Sequence, residues 1–323
     1  MLLVNLMKSK RNMGYRLILL GLFFNLLLAN FVDHGGGLYI DGKNARNTGM
    51  GGYSVSYSAG SNPAILVFNN PTVYFSYKNK FSGLYSVATA SYLFSQKFNN
   101  KTFPIYISII TRKVDDIPDT RNIISTDNSI DYSKITYFSQ SEVGFIATSN
   151  IKLKKLVLGI SFKPFYTKLA EFNSYGFSTD IGLISKHWNN ILQFGCRFEN
   201  LVSINYWRNR SVENYIPSLI IGGQINSNLL LLGLDIEKSL FSNSLLKYYF
   251  GLELKKTIHN LFIRFGSSSN NAFSFGLGFR FKQFNLDYAY IHPINGSIFQ
   301  PSHILGVEIN LENLIKLNDK ISP

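Results

Sequence analysis

One cysteine occurs in 323 residues, which excludes a disulfide framework and a thiolate metal cluster. Charge is scarce too: Asp, Glu, Lys and Arg make up 16% of the chain, against about 25% in ordinary soluble domains. Beyond residue 30 no apolar run approaches the ~20 residues that a membrane-spanning helix needs, so a polytopic helical membrane protein is excluded. Acids are the rarer sign, with 19 Asp and Glu against 32 Lys and Arg and a formal net charge of +13. Disorder is excluded from the other side, because 27 Phe and 19 Tyr supply ample surface to bury. What these absences leave is a β-rich globular protein or a barrel in an outer membrane.

Residues 1–30 read as a secretory signal peptide. Lys8, Lys10, Arg11 and Arg16 form a positive n-region. Leu17 to Leu28 is an apolar core broken only by Gly21 and Asn25, and Ala29 is the small residue before a cut. Processing removes four bases and no acids. An uncleaved N-terminal anchor is the alternative reading of the same stretch.

The remainder alternates. In residues 272–282, Phe273, Phe275, Leu277, Phe279 and Phe281 share one face, while Ser274, Gly276, Gly278, Arg280 and Lys282 share the other. A period of two sustained this long is a β signal. Fourteen such runs occur, at 72–78, 83–93, 103–112, 142–149, 155–168, 176–187, 190–199, 217–226, 229–238, 246–255, 259–266, 272–282, 284–291 and 303–311. Most are nine to eleven residues long, the length a tilted strand needs to cross a bilayer, whereas globular strands centre on about five or six. Short turns at Gln283 and at Asn189 and Asn190 alternate with longer connections such as 113–141, as in outer-membrane barrels. The fold expected is therefore all-β, a single antiparallel transmembrane β-barrel of about 14 strands with an N-terminal plug segment. Its divisions are 1–30 signal peptide, 31–71 plug and lead-in, 72–311 barrel and 312–323 tail. A soluble secreted β-sandwich is the alternative.

The polar faces of the strands carry Gly, Ser, Asn and isolated charges. Lys163, Asp180, Arg197, Glu199, Asp235, Glu253, Arg264, Arg280, Asp287 and Glu308 are the expected lumen charges. Their near balance suits a narrow lumen crossed by ion pairs better than a strongly ion-selective pore. No catalytic motif accompanies them. His34, His187, His259, His292 and His303 are scattered without metal-ligand spacing, and Cys196 sits on the apolar face of its run. Asp115, Asp116, Asp119, Asp127 and Asp131 cluster in 114–134, but not at the spacing of a calcium loop. No enzyme, cofactor or metal is expected. Bases stand apart from one another without a stacking-aromatic stripe, so no nucleic-acid partner is expected either.

Several stretches carry a family likeness. Residues 44–53 read Asn-Ala-Arg-Asn-Thr-Gly-Met-Gly-Gly-Tyr and 60–64 read Gly-Ser-Asn-Pro-Ala. Further pieces are 114–121, 175–183, 216–219, 285–290 and 302–306, the last reading Ser-His-Ile-Leu-Gly. In order and spacing they resemble the PorV/PorQ-type outer-membrane proteins, within the FadL-like superfamily of fourteen-stranded barrels, from about Asn44 to Leu311. The resemblance implies that Gly49, Met50, Gly51, Gly52, Asn62, Pro63 and Ala64 enter the barrel as a plug. Glycines permit close backbone approach, and Asn-Pro fixes a turn, which agrees. It implies either passage of hydrophobic small molecules or a part in type IX-like protein export and surface attachment. A transporter should hold an apolar pocket beside the plug, with Met50, Tyr53, Tyr57, Ile65 and Phe68 as its lining. An export partner should grip secreted cargo with loops 113–141 and 205–216. A scaffold barrel that transports nothing is the third reading. Outer-membrane lipid and the barrel-assembly machinery are the partners common to all three.

Overall fold

The computed structural model describes residues 31–32, 37–55, 60–68, 70–99, 101–124, 129–241, 243–255, 260–269, 272–294 and 299–312. The expected signal peptide, and all but the first residue of the expected tail, lie outside them. Each alternating run becomes one strand. These are β1 Thr72–Lys80, β2 Tyr85–Phe98, β3 Lys101–Asp119, β4 Thr136–Leu153, β5 Leu156–Leu169, β6 Phe172–His187 and β7 Leu192–Trp207. They continue as β8 Ser218–Asn226, β9 Leu230–Ser239, β10 Lys247–Leu254, β11 Leu261–Ser268, β12 Ala272–Phe281, β13 Phe284–Pro293 and β14 Ser302–Asn310. Each pairs antiparallel with its sequence neighbour, and β14 pairs with β1, Gly306 facing Ser76, which closes the ring. The connection after β7 adds a short strand, Val212–Tyr215, that pairs back onto β7 and, in parallel, with Phe31–Val32.

Burial is inverted relative to a water-soluble protein. Outward residues such as Phe75, Tyr77, Ile107, Phe145, Ile160, Leu234 and Leu286 are exposed, whereas inward Ser76, Ser108, Thr148, Ser161 and Gln224 are buried. An apolar band around a closed barrel is what a bilayer requires, because every backbone donor is paired within the ring and every outward side chain meets hydrocarbon. Leu234→Arg on β9 should therefore cost about 2–4 kcal/mol in lipid vesicles, read by urea unfolding. A cost near zero in vesicles would contradict a membrane-facing wall.

Strand lengths depart from the sequence-based expectation. β2 to β7 run 14 to 19 residues, while the other eight strands have 8 to 10. The alternation fades where the apolar row ends, but pairing does not, since a strand projecting beyond the bilayer needs no greasy face. The expected loop 113–141 thus shrinks to 120–135, and the 205–216 loop is largely strand. Asp115 and Asp116 lie on β3 at a bulge between Val114 and Ile117. Asp119 pairs with Arg121, Asp131 accepts from Ser133 N at 3.1 Å, and Asp127 lies outside the described residues. Among the described residues no three His, Cys, Asp or Glu side chains gather as a metal site.

Both ends of the barrel segment lie at the rim where the connections are short: 99–100, 154–155, 188–191, 227–229, 255–260 and 282–283. The N-terminal segment starts at the opposite, long-loop rim and descends through the lumen. It forms α1 Gly37–Asp41, α2 Ala45–Gly49 and a 3-10 turn, Pro63–Phe68, before β1. Asn44 caps α2, its side chain accepting from Asn47 N at 2.8 Å.

Candidate functional site

Residues 49–55 and 60–63 girdle the inside of the wall, and the wall answers with glycine. Gly276 on β12 meets Gly49, Gly251 and Gly266 on β10 and β11 meet Met50 and Gly51, and Gly233 on β9 meets the Tyr53 ring. Gly195 on β7 then meets Val55, Gly182 on β6 meets Asn62, and Gly159 on β5 meets Pro63. A Cβ on Gly195 would stand 2.8 Å from the Val55 carbonyl oxygen, and one on Gly251 2.7 Å from that of Met50. Several of these glycines face each other across the ladder: Gly159 opposite Gly182, and Gly233, Gly251 and Gly266 in one row. They open a track into which backbone fits. Gly51 and Gly52, at φ 71° and 85°, make the turn that starts the girdle.

Polar side chains then fasten it. Asp235 accepts from Ser54 N and Val55 N at 2.8 and 2.9 Å, and Ser274 Oγ accepts from Gly51 N at 2.8 Å. Asn62 donates to Val55 O at 2.6 Å and accepts from Ala64 N at 3.0 Å. Tyr53 OH donates to Gln224 at 2.8 Å, and Asn150 donates to Pro63 O at 3.1 Å.

Charge clusters cross the lumen. Glu253, fully buried, receives Arg46 from α2 at 2.6 Å and Arg264 at 2.7 Å, and Arg264 reaches Asp287 at 2.6 Å. Lys163 meets Asp180 at 2.7 Å and Glu199 at 3.9 Å; Arg197 joins Glu199 at 3.1 Å and also donates to Ser61 O. Toward the long-loop end, Asp41 of α1 takes Lys80 at 3.2 Å, Arg112 at 3.1 Å and the Tyr85 hydroxyl at 3.0 Å, and Arg112 also pairs with Glu142. Burial pushes the Asp41 carboxyl upward, but Lys80, Lys78 and Arg112 outweigh it and hold it below the usual carboxylate range. Burial depresses Lys43, and Arg197 adds to the effect.

Gly49, Met50, Gly51, Gly52, Asn62, Pro63 and Ala64 thus all lie inside the barrel. Met50 and Tyr53 pack with Leu231, while Ile65 packs with Leu66, Leu93, Val157 and Ile184. These are two separate clusters rather than one pocket. Tyr57 lies outside the described residues, and Phe68 ends the 3-10 turn. Of the expected lumen charges, Lys163, Asp180, Arg197, Glu199, Glu253, Arg264 and Asp287 enter the ion pairs above, and Asp235 holds backbone amides. Glu308 accepts from Asn285 at 2.6 Å near the short-turn rim, and Arg280 is exposed there. Asp41, Arg46, Arg112 and Glu142 escape the sequence reading. The latter two sit at the ends of runs 103–112 and 142–149, which the strands extend, and Arg46 stands three residues before Gly49.

An apolar cluster accompanies the Asp41 charge cluster in the outer half of the filled lumen. Toward the long-loop end, Leu38 and Tyr39 of α1 pack among Val87, Ile110, Ile146, Phe165 and Tyr215. Toward the short-turn end a polar cavity of about 440 Å³ opens, bounded by Lys43, Arg46, Tyr74, Arg264, Arg280 and Asp287 among others.

No family model matches the chain, and no curated protein matches it. Solved structures do share its fold. A crystal structure of the P. putida toluene transporter TodX is 14% identical, covers 84% of this chain and 99% of its own, and superposes with a TM-score of 0.62. A second structure of that transporter gives 11% identity, coverage of 83% and 97%, and a TM-score of 0.61. A deletion mutant described as a monoaromatic hydrocarbon channel gives 12%, 83%, 99% and 0.56.

Proposed function

We propose that the chain is a non-enzymatic outer-membrane channel, closed by residues 31–71 as a plug, through which small hydrophobic molecules pass. The observation that carries this reading is the glycine track, which seats residues 49–55 and 60–63 within the wall. A barrel kept only as a scaffold needs no such fitted, separately fastened closure. The longest connections, 120–135 and 208–217, share one rim, which orients the barrel with the opposite rim in the periplasm. The transported class draws support from the TodX structures, described as a toluene transporter and a monoaromatic hydrocarbon channel. It also draws support from the apolar cluster at the outer half. Leu38 and Tyr39 pack in the outer half, and a shift of α1 would open an apolar pocket among the same partners. The export role implied by the PorV/PorQ likeness has less behind it, since the outer connections 120–135 and 208–217 are shorter than the loops 113–141 and 205–216 expected to hold cargo. Residues 1–30 serve as the export signal in this reading, and insertion falls to the barrel-assembly machinery.

Uptake of radiolabelled toluene tests the proposal. Cells making the protein should take it up faster than cells lacking it, and Leu38→Asp should remove most of the difference by placing a charge in the apolar cluster. Equal uptake with and without the protein, at verified surface abundance, would overturn the hydrophobic-channel reading.

A further inference from the structure

The cavity at the short-turn end carries more positive charge than the lumen network consumes. Of its bases, Arg46 and Arg264 are held by Glu253 and Asp287. Lys43 donates to Gly52 O at 3.1 Å and stands 4.9 Å from the centroid of the Tyr249 ring. Arg280 differs. Its Nε donates to the neutral amide oxygen of Asn285 at 3.0 Å, and its guanidinium lies 4.9 Å from the centroid of the Phe262 ring. Neither Nη has a hydrogen-bond partner among the described residues, and no carboxylate pairs with Arg280 or with Lys282 there. The acids of the cavity are already engaged: Asp287 by Arg264, and Glu308 by the Asn285 amide at 2.6 Å.

The surrounding rim adds to the field. Lys97, Lys152, Lys186, Lys255, Arg280 and Lys282 all occupy lumen-facing positions at, or one step beyond, the short-turn ends of β2, β4, β6, β10 and β12. Lys154 and Lys155 form the β4–β5 turn itself. Apart from Glu308, the acid described at this rim is Glu312, which accepts from Asn70 at 2.8 Å. Asp115, Asp116, Asp119, Asp131 and Glu171 all stand at the opposite end. Apart from Lys101 and His187, the outward row at the basic rim is largely apolar, with Phe98, Leu153, Leu156, Phe281 and Phe284 exposed. The bases therefore crowd the mouth rather than the lipid headgroups, and a low-dielectric wall around a basic mouth focuses the field into it.

We propose that this vestibule is a binding site for a small oxyanion, a phosphate- or carboxylate-bearing solute on the periplasmic side, held by the Arg280 fork with Lys282 beside it. The ring of Phe262 presents the guanidinium, so its planar fork can take two oxygens at once. The site requires the barrel and its basic mouth, and is independent of whether hydrophobic solutes pass the plug.

Calorimetric titration of the full-length protein in neutral detergent tests it, with inorganic phosphate and citrate as separate probes, at low and at high salt. At least one probe should bind one-to-one and weaken as salt rises. Which of them binds tells a phosphate site from a carboxylate site. The R280Q/K282Q variant should bind roughly tenfold more weakly or worse, as loss of a charge-assisted pair implies. K113Q, at the opposite rim, should bind as the unaltered protein does. Both Arg280 and Lys282 are exposed, and heat-dependent gel mobility verifies that the variant barrel is folded. No saturable binding of either anion, or undiminished binding by folded R280Q/K282Q, would overturn the proposal. Neither outcome bears on toluene uptake, so the two readings fail separately.

Discussion

Gly266→Val should turn a closed barrel into a leaking one. A Cβ at position 266 runs into the backbone of Met50 and Gly51, which cannot rotate aside as a flexible side chain would. On the other side the strand is fixed in the ladder opposite Gly251 and Ser274. Wall and girdle must therefore part. Overpacking of this kind costs about 1–3 kcal/mol, and against backbone the upper end applies. The displaced-plug population then rises by roughly a hundredfold, at about 1.4 kcal/mol per factor of ten. Planar-bilayer conductance reads this directly, as frequent openings in a protein otherwise closed. Gly223→Val is the matching control: Gly223 neighbours Gly222 on β8 but faces outward, where an added Cβ would meet the Phe194 ring at 3.2 Å. It should leave conductance unchanged. A folded Gly266→Val barrel that stays closed would mean that the girdle is not what closes the lumen.

Glu253→Gln should loosen the plug at its charged end. The carboxylate is fully buried and answers two guanidinium groups, one from α2 and one from β11. Removing its charge leaves Arg46 and Arg264 facing one another, and breaking a buried pair by one partner costs about 3–5 kcal/mol. Arg46→Gln should cost less, because Glu253 keeps Arg264. The double variant should fall short of the sum, as expected for residues in one network. Trypsin supplies the readout, since Lys43 and Arg46 lie within the lumen and become cleavable only when the segment leaves it. If cleavage follows opening, its rate in Glu253→Gln should rise by on the order of a hundredfold or more. Equal resistance in both proteins would show that this cluster does not retain the plug.

Much of the wall is legible along the chain. The run from Ala272 to Lys282 places five apolar side chains on one face and its glycines on the other, and β12 keeps that assignment with Phe273 out and Gly276 in. A strand's side-chain period is a local property, set by the pleat, and needs no knowledge of its partner. The ends of β3 and β4 are not legible, because beyond the bilayer backbone pairing continues without an apolar row to mark it. Arg112 and Glu142 lie within their runs, but their pairing depends on the register of β3 against β4 and on where α1 brings Asp41.

The girdle lies further out of reach. Gly159, Gly182, Gly195 and Gly233 stand on the polar faces of their runs in plain view, yet nothing along the chain distinguishes a glycine that lightens a strand from one that admits another backbone. Arg46 and Glu253 are 207 positions apart. Their meeting depends on ring closure, on the register of each intervening pair and on how far the N-terminal segment descends. By itself the sequence determined the cores of the strands, their number and the two faces, since the pleat of each strand sets a two-residue period locally and the bilayer makes one of its two rows apolar. Only the tertiary structure decided what fills the lumen and how the bases gather at its mouth, because those contacts join residues from opposite sides of a closed barrel.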